Sequence, residues 1–239
     1  MPVFHIPDDE LVFPHPKFAE KEGLLGIGGD LSPNRLLLAY QNGIFPWFSE
    51  SEPIMWWSLI PRLILLPASI IISHSMKTLI HAKPWRVSIN EDFNTVIQSC
   101  ARIKRKGQQG TWINKLVYDA FMEMHQLGYA HSVEVWEESE LIGGLYGLTI
   151  GKMFCGESMF ASKSNASKYA FIHFVKWLKT HQFDLIDCQQ DTPHLKRFGA
   201  ELYSGTSFFD YLEKNKKHEL SPVFWNVSNL ENEYGIAQV

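Results

Sequence analysis

Leu141 to Phe160, LIGGLYGLTIGKMFCGESMF, is the stretch whose reading decides the fold. Apolar and aromatic residues fill two halves that meet at Gly151-Lys152, and glycines punctuate both. That pattern predicts two strands joined by a tight turn. One acid, Glu157, sits in the second half among Phe154, Met159 and Phe160. An isolated buried carboxylate is so costly that Glu157 must be paired, hydrogen-bonded or shifted in its titration. Leu185 to Gln190, LIDCQQ, repeats the situation: Asp187 ends an apolar run, and Gln189 lies two residues on, on the same face of a strand. By the same alternation Cys188 faces away from both, as a core residue. Two embedded acids and an amide on neighbouring strands can form a polar corner in an apolar pocket, or can be satisfied structural groups.

Outward from this hairpin, helices and strands are signalled in turn. Residues 1 to 22 are punctuated by proline and read as extended, packing through Val3, Phe4, Leu11, Val12 and Phe13. Gly23 to Asp30, GLLGIGGD, has neither the GxGxxG spacing nor a Walker lysine, so its glycines read as turn residues. Ser32 and Pro33 open a helix with LLLAY as its apolar face, and Gly43 ends it. Trp47, Trp56 and Trp57 follow, among prolines at 46, 53 and 61. They make either a satellite core or a stacking surface for a flat group such as adenosine. Pro61 marks a boundary between a small N-terminal domain, residues 1–62, and a larger domain, residues 63–239.

The larger part predicts a strand over Arg62–Ile72 broken at Pro67, a short helix over Ser73–His81 and a strand over Trp85–Ile89. A helix capped by Asn90 carries Phe93, Val96, Ile97 and Cys100 on one side. A further helix over Asn114–Leu127 buries Val117, Phe121, Met124 and Leu127. His131–Trp136 alternates as a strand does. A helix spans Ala166–His181, and Phe208–Leu212 closes the sheet. The fold class is α+β, with a mixed central sheet flanked by helices.

Hydrophobic residues at 45% and charged residues at 20% describe an ordinary globular chain, and the net charge of −4 excludes a generally basic nucleic-acid binder. Any RNA contact must therefore be local, and RIKRK at 102–106 is the strongest positive run. Cys100, Cys155 and Cys188 are far apart in apolar contexts, with no CxxC or Cys/His cluster. They read as reduced core thiols rather than metal ligands. No apolar stretch reaches membrane-spanning length, so a cytoplasmic location is expected.

Several segments together resemble the bacterial leucyl/phenylalanyl-tRNA–protein transferases: GLLGIGGDLSPNRLLLAYQNGIFPWFS (23–49), IMWWS (54–58), GTWI (110–113), HSVEVW (131–136), LIGGLYGL (141–148), FCGESMF (154–160), NASKYA (165–170) and IDCQ (186–189). The resemblance implies a C-terminal domain with the fold of the N-acetyltransferase superfamily. It implies transfer of Leu, Phe and, less well, Met from aminoacyl-tRNA to proteins beginning with Arg or Lys, marking them for degradation. It implies no metal, nucleotide or coenzyme, because the aminoacyl ester is already activated. The family's site maps onto Trp47, Trp112, Glu157, Asp187 and Gln189. Its side-chain pocket maps onto Leu145, Phe154, Phe171, Phe174 and Leu178, with Ser158 beside them. The cations expected to meet tRNA are Arg62, Lys77, Lys83, Arg102, Lys104 and Arg105. A monomer is expected. An acetyl-coenzyme A acetyltransferase is the rival on the same fold, but the loop that would hold pyrophosphate, SKSNASK (162–168), has no glycine. A non-catalytic RNA-binding module is the other rival, and the negative net charge weighs against it.

Overall fold

The computed structural model describes residues 3–103, 111–223 and 225–230. Eleven strands are described: β1 Phe4–Ile6, β2 Leu24–Gly28, β3 Phe45–Pro46, β4 Met55–Trp57, β5 Arg62–Leu65, β6 Arg86–Ile89, β7 Ala130–Glu137, β8 Glu140–Ile150, β9 Met153–Ala161, β10 Leu185–Gln189 and β11 Glu201–Tyr203. The helices are α1 Pro33–Gln41, α2 His74–Ala82, α3 Phe93–Arg102, α4 Lys115–Gln126, α5 Ala166–Thr180, α6 Pro193–Lys196 and α7 Gly205–Asn215. They build a four-stranded sheet ordered β1-β2-β4-β3 and a seven-stranded sheet ordered β11-β5-β10-β9-β8-β7-β6.

The opening hairpin forms as its pattern predicts, with β8 and β9 antiparallel across Gly151-Lys152. In the large sheet β10 runs parallel to β9 and antiparallel to β5, so the sheet is mixed. Helix α5 connects β9 to β10, the long crossover that a parallel pair requires. One face of the large sheet shares a core with the N-terminal segment, where Ile6, Leu25, Leu36, Tyr40 and Trp56 pack in one cluster with Phe93, Val96, Phe121 and Tyr146. The other face is covered by α2 and α5 through Met76, Ile80, Ala170, Phe174 and Leu178.

Arg35 anchors the N-terminal segment. Its buried guanidinium pairs with Asp30 and donates to the carbonyls of Pro7, Asp8 and Glu10. Gly28 and Gly29 both have positive φ, at 106° and 69°, which fits their reading as turn residues. Leu11 and Val12 do not pack; they are 50% and 47% exposed, because the backbone here is held by Arg35 rather than by their side chains.

Three further expectations are corrected. Asp92, not Asn90, caps α3, accepting from the Thr95 amide at 2.9 Å. Asn90 has φ 59° and uses its side chain on His131 and the Trp225 carbonyl. Leu127 follows α4 and is 41% exposed, since Gly128 turns the chain away there. Residues 208–212 are helical within α7, capped by Ser204, while Glu201–Tyr203 forms the sheet's outer strand. Phe208 and Leu212, four apart, fall on one helical face and are buried. The polar-looking C-terminal segment is also docked. Val227 bridges Ile89, and Trp225 packs against Trp177 and His131.

Candidate active site

The site forms where β9 and β10 part company. Their parallel ladder ends at the Asp187–Cys155 pair. Immediately beyond it each strand carries a bulge. On β9 the pairing with β8 steps from Tyr146–Ser158 to Gly147–Gly156 and leaves Glu157 as the extra residue. On β10 the pairing with β5 steps from Asp187–Ile64 to Gln189–Leu63 and leaves Cys188 extra. Bulges re-aim side chains and stop pairing, and here they open the sheet between two strands. Gly147 is required at the first bulge: a Cβ there would lie 2.1 Å from the Cys155 carbonyl oxygen.

The opening is a cavity of about 560 Å³. Its apolar wall includes Phe45, Trp47, Trp112, Leu145, Phe154, Phe171 and Ile186, and its polar corner Glu157, Asp187 and Gln189. Trp47, Trp112, Leu145, Phe154, Ser158 and Phe171 are therefore all placed at the cavity by the structure. Phe174 and Leu178 are fully buried one layer behind, with the Phe174 ring 4.7 Å from that of Phe154. They support the wall rather than line it, because α5 turns them toward the core. Cys188 lines the cavity, contrary to the alternation read from sequence: Gln189 has φ 58°, and the bulge breaks the period of two. Burial pushes the Cys188 thiol up, so it carries no charge near neutrality.

Asp187 is locked. Arg62 Nε and Nη2 each donate to one of its oxygens at 2.7 Å, and the Gln189 backbone N–H donates to Oδ1 at 2.9 Å. The Arg62 guanidinium lies 5.0 Å from the ring centres of both Phe45 and Phe208. Forked pairing and aromatic faces suit a desolvated guanidinium. Arg62 is completely buried and cannot contact tRNA, which corrects its assignment as a surface cation. Asp187 thus holds Gln189 through the backbone of the bulge rather than through the side-chain amide.

Glu157 is the titratable group of the corner. Its Oε1 accepts from Tyr40 Oη and from Gln189 Nε2, both at 2.8 Å. Burial pushes its carboxyl up to about 7; the Tyr40 and Gln189 hydrogen bonds oppose the rise, and the Asp187 charge adds to it. With its amide nitrogen spent on Glu157, Gln189 presents its oxygen elsewhere. His194 also lines the cavity and is held toward its neutral form by burial and by the charges of Lys168 and Arg197. Tyr40, Arg62 in its pairing role, Ile186 and His194 were not singled out from sequence for these positions. Tyr40 lay within LLLAY and read as one more apolar-face residue.

Lys77, Lys83 and Arg102 are exposed and none lines the cavity. Arg102 is hydrogen-bonded to Gln98 at the end of α3. Lys104 and Arg105 lie outside the described residues. Among the described residues no group of three or more His, Cys, Asp or Glu is placed to hold a metal ion.

The family model for leucyl/phenylalanyl-tRNA protein transferase matches residues 64–213, and the model for that family's N-terminal domain matches residues 29–59. A leucyl/phenylalanyl-tRNA–protein transferase of Maridesulfovibrio salexigens is 47% identical over 98% of this chain and 97% of its own. That of Desulfatibacillum aliphaticivorans is 46% identical over 99% of this chain and all of its own. Among solved structures, L-PGS from Bacillus licheniformis matches with 12% identity and a TM-score of 0.39, covering 84% of this chain and 65% of that one. A GCN5-related N-acetyltransferase from Kribbella flavida matches with 9% identity and a TM-score of 0.35, covering 72% and 61%. On the two family models and relatives near half identity along almost its whole length, the chain belongs to the leucyl/phenylalanyl-tRNA–protein transferase family.

Proposed function

We propose that the cavity holds the terminal aminoacyl-adenosine of leucyl-, phenylalanyl- or, less well, methionyl-tRNA, and that the α-amine of a protein beginning with Arg or Lys attacks its ester carbonyl. The new N-terminus marks that protein for degradation. In this reading the chain works as a cytoplasmic monomer, without metal or coenzyme. The observation that carries it is the cavity itself: apolar walls sized for an amino-acid side chain and a nucleoside, closed at one corner by Glu157, Gln189 and Asp187.

The reaction is aminolysis of an activated ester. The carbonyl carbon gains a C–N bond and loses its C–O bond to the ribose, and the amine proton ends on the released ribose hydroxyl. A protein α-amine titrates near about 7.7–8.0, so a useful neutral fraction exists at neutral pH, and the protein's main task is placement. The free oxygen of the Gln189 amide accepts an N–H from the attacking amine. Ionised Glu157 holds the α-ammonium of the donor amino acid. Both oxygens of Asp187 are held by Arg62, and its contact with the Gln189 backbone keeps that residue in place. Leu145, Phe154 and Phe171 receive the donor side chain, and Trp47 and Trp112 flank the adenosine. Lys77, Lys83, Arg102, Lys104 and Arg105 meet the tRNA backbone further out.

Leucyl-tRNA carrying labelled leucine tests this with two peptides, one beginning with Arg and one with Asp. Label is expected on the Arg peptide alone. Label on neither, with acetyl transfer from acetyl-coenzyme A instead, would sink the reading.

A further inference from the structure

We propose that Tyr40 is a positioning residue of the transfer reaction: its hydroxyl, brought in on α1, fixes Glu157 so that the carboxylate presents Oε2 to the substrate ammonium group. The proposal rests on the reading of Glu157 as the group that holds that ammonium.

The geometry is specific. Tyr40 is 1% exposed, so its hydroxyl must find a partner inside the protein. That partner is Glu157 Oε1, 117 residues away in sequence and on strand β9 of the large sheet. Gln189 Nε2 donates to the same oxygen. Two donors thus converge on Oε1, while Oε2 has no hydrogen-bond partner among the described residues and Glu157 borders the cavity. The two donors differ in rigidity. Gln189 reaches in from a bulge on a flexible side chain, whereas the Tyr40 ring is clamped in the core that joins α1 to the large sheet. Tyr40 is therefore the fixed point from which Glu157 is aimed.

The phenol is also a constant donor. Burial, and then the neighbouring Glu157, push it well above its usual range, so it stays protonated wherever the enzyme works. Its hydrogen bond favours the charged carboxylate against burial. Removing it leaves Glu157 with one donor and the same desolvation, and the carboxyl then ionises at higher pH.

The test is the pH dependence of kcat/KM for leucyl transfer to an Arg peptide, from about pH 6 to about pH 9, in the wild type and Tyr40→Phe. Deprotonation of the peptide amine is common to both and cancels in their ratio. Tyr40→Phe is expected to move the acidic limb up by roughly half to one pH unit. That gives a loss of about three- to tenfold below neutrality that closes above about pH 8.5. A deficit of equal factor at every pH would mean a structural role only and overturn the proposal; superimposable profiles would do the same. Should Tyr40→Phe fold poorly, 3-fluorotyrosine at position 40 keeps the shape and strengthens the donor. It should move the limb down, and an unmoved limb counts against the proposal. Glu157→Gln in the same series separates the two claims. Wild-type activity in that variant would remove the reading of Glu157, whatever Tyr40 does.

Discussion

Glu157 carries its charge in a place that resists it. Its carboxyl titrates near 7 in the folded protein against 4.5 for a free side chain, with burial the chief cause. The folded state therefore holds this proton more tightly than the unfolded chain. Stability is full below about pH 4.5, declines as pH rises between the two values, and is lowest above about 7. A shift of that size corresponds to at most about 3 kcal/mol at pH 8. Glu157→Gln keeps the shape and removes the charge. Its melting temperature should exceed the wild type by several degrees near pH 8 and match it near pH 4.5, measured by thermal melts at both. Equal melting temperatures at pH 8 would mean that the site does not strain this carboxyl. The hairpin and the three polar residues of the corner were legible in sequence because each is a local exception, a charge or amide inside an apolar run. The fates of Arg62 and Tyr40 were not. Each is decided by a partner over a hundred residues away, and nothing in IPRLIL or LLLAY reports it.

Elements were legible wherever a period was clean. Both strands of the hairpin, α4 and α5 follow their patterns closely. The failures fall where a period breaks or two patterns compete. FFDYL has aromatic β-formers in its sequence and a helical spacing in Phe208 and Leu212, and the Ser204 cap tips it to helix. Bulges at Glu157 and Cys188 interrupt the period of two that an alternating reading assumes. The division of the chain at Pro61 belongs to this scale as well. The four-stranded sheet lies entirely before it, yet α1 and β4 share one apolar cluster with α3, α4 and β8. Arg62 is also stacked on Phe45 from before the boundary. A protein of residues 62–239 alone would expose that face, and it should show no cooperative thermal transition and no fixed near-ultraviolet dichroism. A sharp transition would mean that the first 61 residues are a separable domain.

Across the whole molecule the charge is slightly negative, and the cavity follows suit: among the described residues none that lines it is a lysine or arginine. The guanidinium nearest the corner is buried behind it and forked onto Asp187. The direction of the chemistry is set by the bonds exchanged rather than by the walls. The ester bond to ribose is high in energy, whereas the amide it becomes is far more stable, so the transfer runs downhill and its return, through the same tetrahedral species, is slow. A leucylated peptide incubated with the protein and an excess of uncharged tRNA should yield no leucyl-tRNA, and its appearance would contradict this. The modification then acts as a ratchet: a chain that has received its extra residue keeps it, and whatever reads that new end can act at leisure.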